Sequence, residues 1–142
     1  MENVPEAKNK IVNMLTVTSE YMERTLHNDY RALIIAAEGM LKHRIWSKCC
    51  SNVTCIEPDE KYFVDIRYFI EAVKQNNLSN KICDEFIAFI EKFDCRNVVL
   101  GCTEFPILID YMKMNGYENW LEKYNFFNPL DILLEYVKKI IK

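Results

Sequence analysis

Two short, unbroken apolar runs constrain this chain more than any other feature of its sequence. Ala32-Leu33-Ile34-Ile35-Ala36 and Val98-Val99-Leu100 are too short for buried helices, and they lack the alternation of a strand with one wet face. Such runs read as strands covered on both sides, the situation inside parallel sheets. Around them the sequence turns to helical periodicity. Ile11, Leu15, Met22 and Leu26 share one face of a helix over about 7–26, which stops at the polar break His27-Asn28-Asp29. Tyr62, Ile66, Phe69, Ile70 and Val73 form a stripe over about 59–75. Ile82, Phe86, Ile87, Ile90 and Phe93 form another behind Ser79, a suitable N-cap.

Weaker signals complete the pattern. A helix begins over 41–46, residues 52–56 read as a second strand closed by Pro58, and 124–127 as a last one. Pro106 suits the first turn of a helix reaching Met114, with Gly116 at its C-terminal end. Asn128 and Pro129 open a final helix carrying Leu130, Leu133, Leu134, Val137 and Ile141 on one face. Strands alternating with helices give parallel strands joined by right-handed crossovers. The expected fold is therefore α/β: a small three-layer α/β/α domain with about four parallel strands, doubly wound in the flavodoxin-like order, with 1–142 as one domain.

Composition narrows the partners. Half of the residues are hydrophobic (50%) and 27% are charged, enough for a core and unlike a disordered tail. Lys and Arg number 18 against 21 Asp and Glu, a net charge of −3, so there is no electrostatic footprint for nucleic acid and no basic patch for a membrane surface. Residues 1–10 are polar, with no apolar signal-peptide core, and no stretch approaches a membrane span, so a cytoplasmic location is expected. The six cysteines are then expected to be reduced. Cys49, Cys50 and Cys55 lack CxxC spacing and His27 and His43 are the only histidines, so no metal site is expected and most thiols read as small core residues. The charged run 57–61 reads as a solvated end.

In a doubly wound sheet, ligands bind beyond the C-terminal ends of the strands where the strand order reverses. That rule selects Ala37-Glu38-Gly39-Met40 after the first strand and Gly101-Cys102-Thr103-Glu104 after the third. A cysteine between a strand end and a helix start faces the helix N-terminus, which favours a thiolate and lowers the thiol pKa. The same amides could hold a carboxylate, with the Thr103 hydroxyl as a further donor, Glu104 to bind an amine or relay a proton, and Gly101 to allow close backbone approach. The structural alternative makes Cys102 a small buried hydrophobe, Thr103 an N-cap and Glu104 a favourable first-turn charge.

The stretch Asn97-Val98-Val99-Leu100-Gly101-Cys102-Thr103-Glu104-Phe105-Pro106-Ile107-Leu108 resembles the second catalytic-cysteine motif of the cofactor-independent aspartate/glutamate racemase family. The resemblance extends to Ile34-Ile35-Ala36-Ala37-Glu38-Gly39-Met40, to Glu57-Pro58-Asp59-Glu60 and to Asn128-Pro129-Leu130-Asp131, all similar to the second half of such racemases. It implies Cys102 and Glu104 as catalytic, Thr103, Gly101, Gly39 and Met40 as substrate-binding residues, a small dicarboxylic amino acid as substrate, and no cofactor. Met40 departs from the pattern, standing where the family has a hydroxyl residue, and His43 stands where serine is common. Family members place their site between two lobes, each with one cysteine. No counterpart of the first lobe occurs here, and Cys49-Cys50-Ser51-Asn52 does not match its motif. The expectation is a racemase-like protein that needs a second protomer or a separate first-lobe chain, with Phe105, Phe126 and Phe127 facing that partner. Two alternatives are a non-catalytic binding module that kept the fold, and a single-cysteine activity resembling the related decarboxylases.

Overall fold

The computed structural model describes residues 3–26, 29–50 and 52–141, with side chains described from residue 14 onward. Helix α1 (Asn3–Thr25) leads to β1 (Arg31–Ile35), followed by the short helices α2 (Glu38–Lys42) and α3 (Ile45–Cys49) and by β2 (Thr54–Ile56). A 3-10 turn at Glu60–Tyr62 runs into α4 (Phe63–Lys74), then α5 (Asn80–Glu91) and β3 (Asn97–Leu100). Helices α6 (Glu104–Met114) and α7 (Glu118–Leu121), β4 (Asn125–Phe127) and α8 (Pro129–Ile141) complete the order. The expected break at His27-Asn28 and the side chain of Ile11 lie outside the described residues.

All four strands are parallel, in the order β2-β1-β3-β4. This is the doubly wound, flavodoxin-like arrangement, with its reversal between β1 and β3. The chain moves one way along the sheet from β1 to β2 and the other way from β2 through β3 to β4, so right-handed crossovers put the connecting helices on opposite faces. Accordingly α1 packs on α3 and α8, while α4 packs on α5 and α6. Leu33, Ile34 and Ile35 pair with Val98, Val99 and Leu100, and all six are buried. Burying each such side chain is worth about 1.5–3 kcal/mol, so this central pair is the sheet's main apolar investment. Phe69, Phe86, Phe89 and Phe105 fill the α4–α5–α6 side through edge-to-face and stacked ring contacts. Trp46 and Met22 are fully buried on the other side.

At the N-terminal ends of the strands a buried amide ties three of them together. The Asn97 Nδ2 group donates to the carbonyls of Asp29 at 3.1 Å and Arg31 at 2.8 Å, and its Oδ1 accepts from Asn125 Nδ2 at 3.0 Å. At the opposite ends, β3 approaches β1 closely. The Gly101 N–H donates to the Ile35 carbonyl at 2.7 Å. A Cβ on Gly101 would lie 2.8 Å from Ala36 Cβ and 3.0 Å from the Ile35 oxygen, so only glycine fits there.

Several local expectations hold in detail. Ser79 Oγ accepts from the Ile82 N–H, Asn128 Oδ1 accepts from the Leu130 N–H, and Gly116 takes a φ of +90° just past α6. Others need correction. Gly39 and Met40 are not in a loop: Glu38 already starts α2, whose last turn gives way at Arg44, in the left-handed region at φ 51°, to α3. Glu57 is buried rather than solvated, its Oε1 accepting from the Ser47 N–H at 3.1 Å and from the Ser47 hydroxyl. Phe105 and Phe127 are also buried within the chain rather than exposed, stacked on Phe86 and edge-on to Tyr21. Of the α8 stripe, Leu130, Leu134, Val137 and Ile141 are exposed. Among the described residues no helix is long and apolar enough to cross a membrane.

The two glycines should respond oppositely to the same substitution. Gly101→Ala is expected to destabilise the fold by about 1–3 kcal/mol through overpacking against Ala36. Gly39→Ala, with nothing within 4 Å of an added Cβ, is expected to gain about 0.5–1 kcal/mol in α2. Urea unfolding midpoints of the two variants check both signs.

Candidate functional site

The close approach at Gly101 decides where Cys102 stands. Because β3 remains locked to β1 through that residue, the chain leaves the sheet only at Cys102 and turns at once into α6. Thr103 occupies the N-cap position, but its hydroxyl does not cap; Thr103 Oγ1 donates instead to Glu104 Oε2 at 3.2 Å. The first turn of α6 contains Glu104, Phe105 and Pro106, with Phe105 anchored in the core. The Cys102 sulfur is therefore held half-buried at the mouth of the helix, with the backbone N–H groups of Glu104 and Phe105 directed at it.

Burial wins the contest over this thiol. It pushes the Cys102 thiol up to about 11, the two backbone N–H groups pull the other way, and the charge of the nearby Glu104 carboxyl adds to the rise. The expectation of a lowered pKa fails here because the helix-terminus effect, worth about 0.3–1 kcal/mol at exposed positions, is outweighed by desolvation. Cys102 rests as a neutral thiol.

Cys102, Thr103 and Gly101 line a depression of about 270 Å³ beyond the C-terminal ends of β3 and β4. Met14 of α1, Leu100 of β3, Pro106 of α6 and Asn128, Pro129 and Leu130 at the start of α8 form the rest of its wall. These residues escaped the sequence reading as site members, although the rule that ligands sit beyond strand C-termini applies to the β4–α8 junction as much as to the other loops. Gly39 lies elsewhere. It lines a separate depression of about 470 Å³ beyond β1 and β2, with Glu38, Arg44, Pro58, Asp59 and Phe63. Glu38 Oε1 accepts there from Arg67 Nε at 2.6 Å. Met40 borders neither depression and packs half-buried against the core, and His43 is exposed at the end of α2.

No family model matches the chain, and no curated protein matches it. Among the described residues no three His, Cys, Asp or Glu side chains are grouped to hold a metal ion. A thiol, a carboxyl group beside it, the N-terminal end of a helix and a hydroxyl can bind an anion and exchange one proton with it.

The thiol's protonation state gives a direct check. An elevation from 9.0 to about 11 is two pH units, so the thiolate fraction at pH 8 should be ~100-fold below that of an ordinary thiol. Iodoacetamide alkylation of Cys102, followed by peptide mapping, should be correspondingly slow and should accelerate tenfold per pH unit until about pH 11. The same elevation makes the buried neutral thiol stabilising at and below pH 9, a contribution lost as pH rises through about 11. The Cys102→Ala protein should lack that alkaline loss.

Proposed function

We propose that the corner between β3 and α6 is a thiol acid–base site acting at the Cα of a small dicarboxylic amino acid, in the manner of a cofactor-independent aspartate/glutamate racemase. The observation that carries this reading is the place of Cys102 and Thr103 in the wall of a depression on the C-terminal rim of the sheet, with the first α6 amides and the Glu104 carboxyl group beside the thiol. The sequence Gly101-Cys102-Thr103-Glu104 supports it through its resemblance to the family's second cysteine motif.

In this reading the α6 amides and the Thr103 hydroxyl hold the substrate carboxylate, whose charge the helix terminus favours. Cys102 delivers a proton to one face of the planar carbanion, and the neighbouring Glu104 carboxyl group takes part in returning it to the thiol. Inversion also requires a base on the opposite face to remove the Cα proton. A second copy presenting its own Cys102, or a separate chain carrying the other thiol, supplies that group. In the racemase family that the motif resembles, this proton exchange runs without a cofactor.

The neutral resting thiol favours a second reading. A single proton donor is all that a decarboxylase of malonate-type acids requires: the bond to one carboxylate breaks, carbon dioxide leaves, and the thiol protonates the carbanion left behind. If neither reaction occurs, the corner belongs to a binding module that kept the fold without the chemistry.

Incubation of the chain with L- and D-aspartate and L- and D-glutamate in D₂O distinguishes these. Deuterium at Cα, seen by NMR and lost in Cys102→Ala, is the expected result, with exchange rising with protein concentration if a second copy completes the site. Absence of exchange at every concentration refutes a self-sufficient racemase. Carbon dioxide release from a substituted malonate, abolished by Cys102→Ala, would select the decarboxylase reading instead.

A further inference from the structure

Among the described residues, helix α8 leaves an apolar face uncovered. The helix packs on α1, and of its own residues only Pro129 is buried. Leu130, Leu134, Val137 and Ile141 are 49%, 50%, 39% and 78% exposed. Their spacing of four, three and four residues keeps them on one side of the helix in a seam about 16 Å long, with the a/d spacing of a coiled coil. Leu133 and Ile140, seven residues apart, lie along one flank of the seam and widen it. Asp131 and Lys138, also seven apart, lie along the other flank. The acidic side chain is in the first turn of the helix and the basic one in the last.

We propose that this face is an interaction surface for a second copy of the chain, with two α8 helices packed antiparallel about a two-fold axis. The charges select both the partner and its direction. In an antiparallel pair Leu130 lies opposite Ile141 of the second copy and Leu134 opposite Val137, so the seam covers itself, and Asp131 on each helix stands beside Lys138 of the other. Opposite charges thus flank the apolar strip at both ends. Turned parallel, the same helices would set the two acidic ends together and the two basic ends together. Lys138 also reaches Glu135 of its own helix at 3.5 Å, an exposed contact within one turn that the pairing leaves in place. A membrane surface suits the face less well, because Asp131 and Glu135 make the polar side of its first half acidic, which anionic headgroups repel. One helix per copy makes a small interface, so the association is weak and reversible. Leu130 also walls the Cys102 depression, so the two depressions open at opposite ends of the seam. The seam joins two chains without bringing their thiols together, and it does not depend on the chemistry proposed for the corner.

Sedimentation equilibrium of the intact chain tests the seam over about 1 to 100 µM, the range suited to a small, transient interface. The expected mass rises with concentration from 16.9 kDa toward twice that value. Leu134→Glu places a charge at the centre of the seam, on a side chain that is half exposed, and is expected to raise the dissociation constant roughly tenfold or more with an unchanged far-UV circular dichroism spectrum. Carbodiimide cross-linking of the wild-type chain reads the direction. Its double-mass band is expected to contain Asp131 joined to Lys138, two groups about 10 Å apart along one helix and so beyond a zero-length link within one chain. A wild-type mass that stays at one chain over the whole range, a Leu134→Glu chain that dimerises equally well, or a double-mass band lacking that link would each overturn the proposal. Co-sedimentation of a monomeric chain with phosphatidylcholine–phosphatidylserine vesicles would overturn it too, assigning the face to a membrane. If Leu134→Glu fails to fold, the mass and the cross-link of the wild-type chain decide alone.

Discussion

The close approach of two strand ends governs this molecule. Strands β1 and β3 lie side by side at the reversal of the sheet, their side chains are buried on both faces, and no polar group in either strand core interrupts the packing. Their pairing runs one residue beyond the last ladder position, because Gly101 presents no side chain to Ala36 and donates to Ile35. A larger residue would force the strand ends apart and swing the start of α6 away from the sheet. The position of Cys102, its half-burial and its view of two helix amides all follow from that contact.

The corner also shows how two effects of similar origin oppose each other. The helix terminus stabilises charge on the sulfur through oriented dipoles, but the same tight turn removes water that would otherwise solvate it. With Phe105 packed in the core and Glu104 alongside, desolvation and carboxyl repulsion prevail. At Cys50 the balance tips the other way, since the Cys55 thiol and the Ser19 hydroxyl lower that thiol's pKa despite its burial. Proximity to a helix end is therefore a poor guide to thiol chemistry unless the groups in contact with the sulfur are known.

Much of this architecture was legible in the residues themselves. The unbroken apolar runs announced strands buried on both faces, and Ser79, Asn128 and Gly116 marked helix boundaries through well-defined local physics. The corner at 101–104 was legible because a strand signal runs directly into a helix signal. What escaped was tertiary. Glu38-Gly39-Met40 looks like a loop because glycine is a weak helix former, yet Glu38 starts a helix there. Glu57 looks solvated because carboxylates usually are, and only the fold brings Ser47 to meet it. Helix α7 is a single turn without a periodic stripe, and the contribution of Met14 and α8 to the wall beside Cys102 depends on packing across distant parts of the chain.

Asn97 carries a different consequence. Its amide gives both hydrogens to the chain entering β1 and receives one from Asn125 of β4, so the donors and acceptors of three strands must coincide at one buried point. A slip of any strand by one residue would turn its buried side chains toward the opposite layer and would also strand this amide without partners. The amide thus works as a registration mark: it makes one alignment of three similar short strands cheaper than its neighbours, at the end of the sheet farthest from the thiol corner. Sequence change along the opposite rim, Gly101 apart, is then free to alter chemistry without loosening the alignment beneath it.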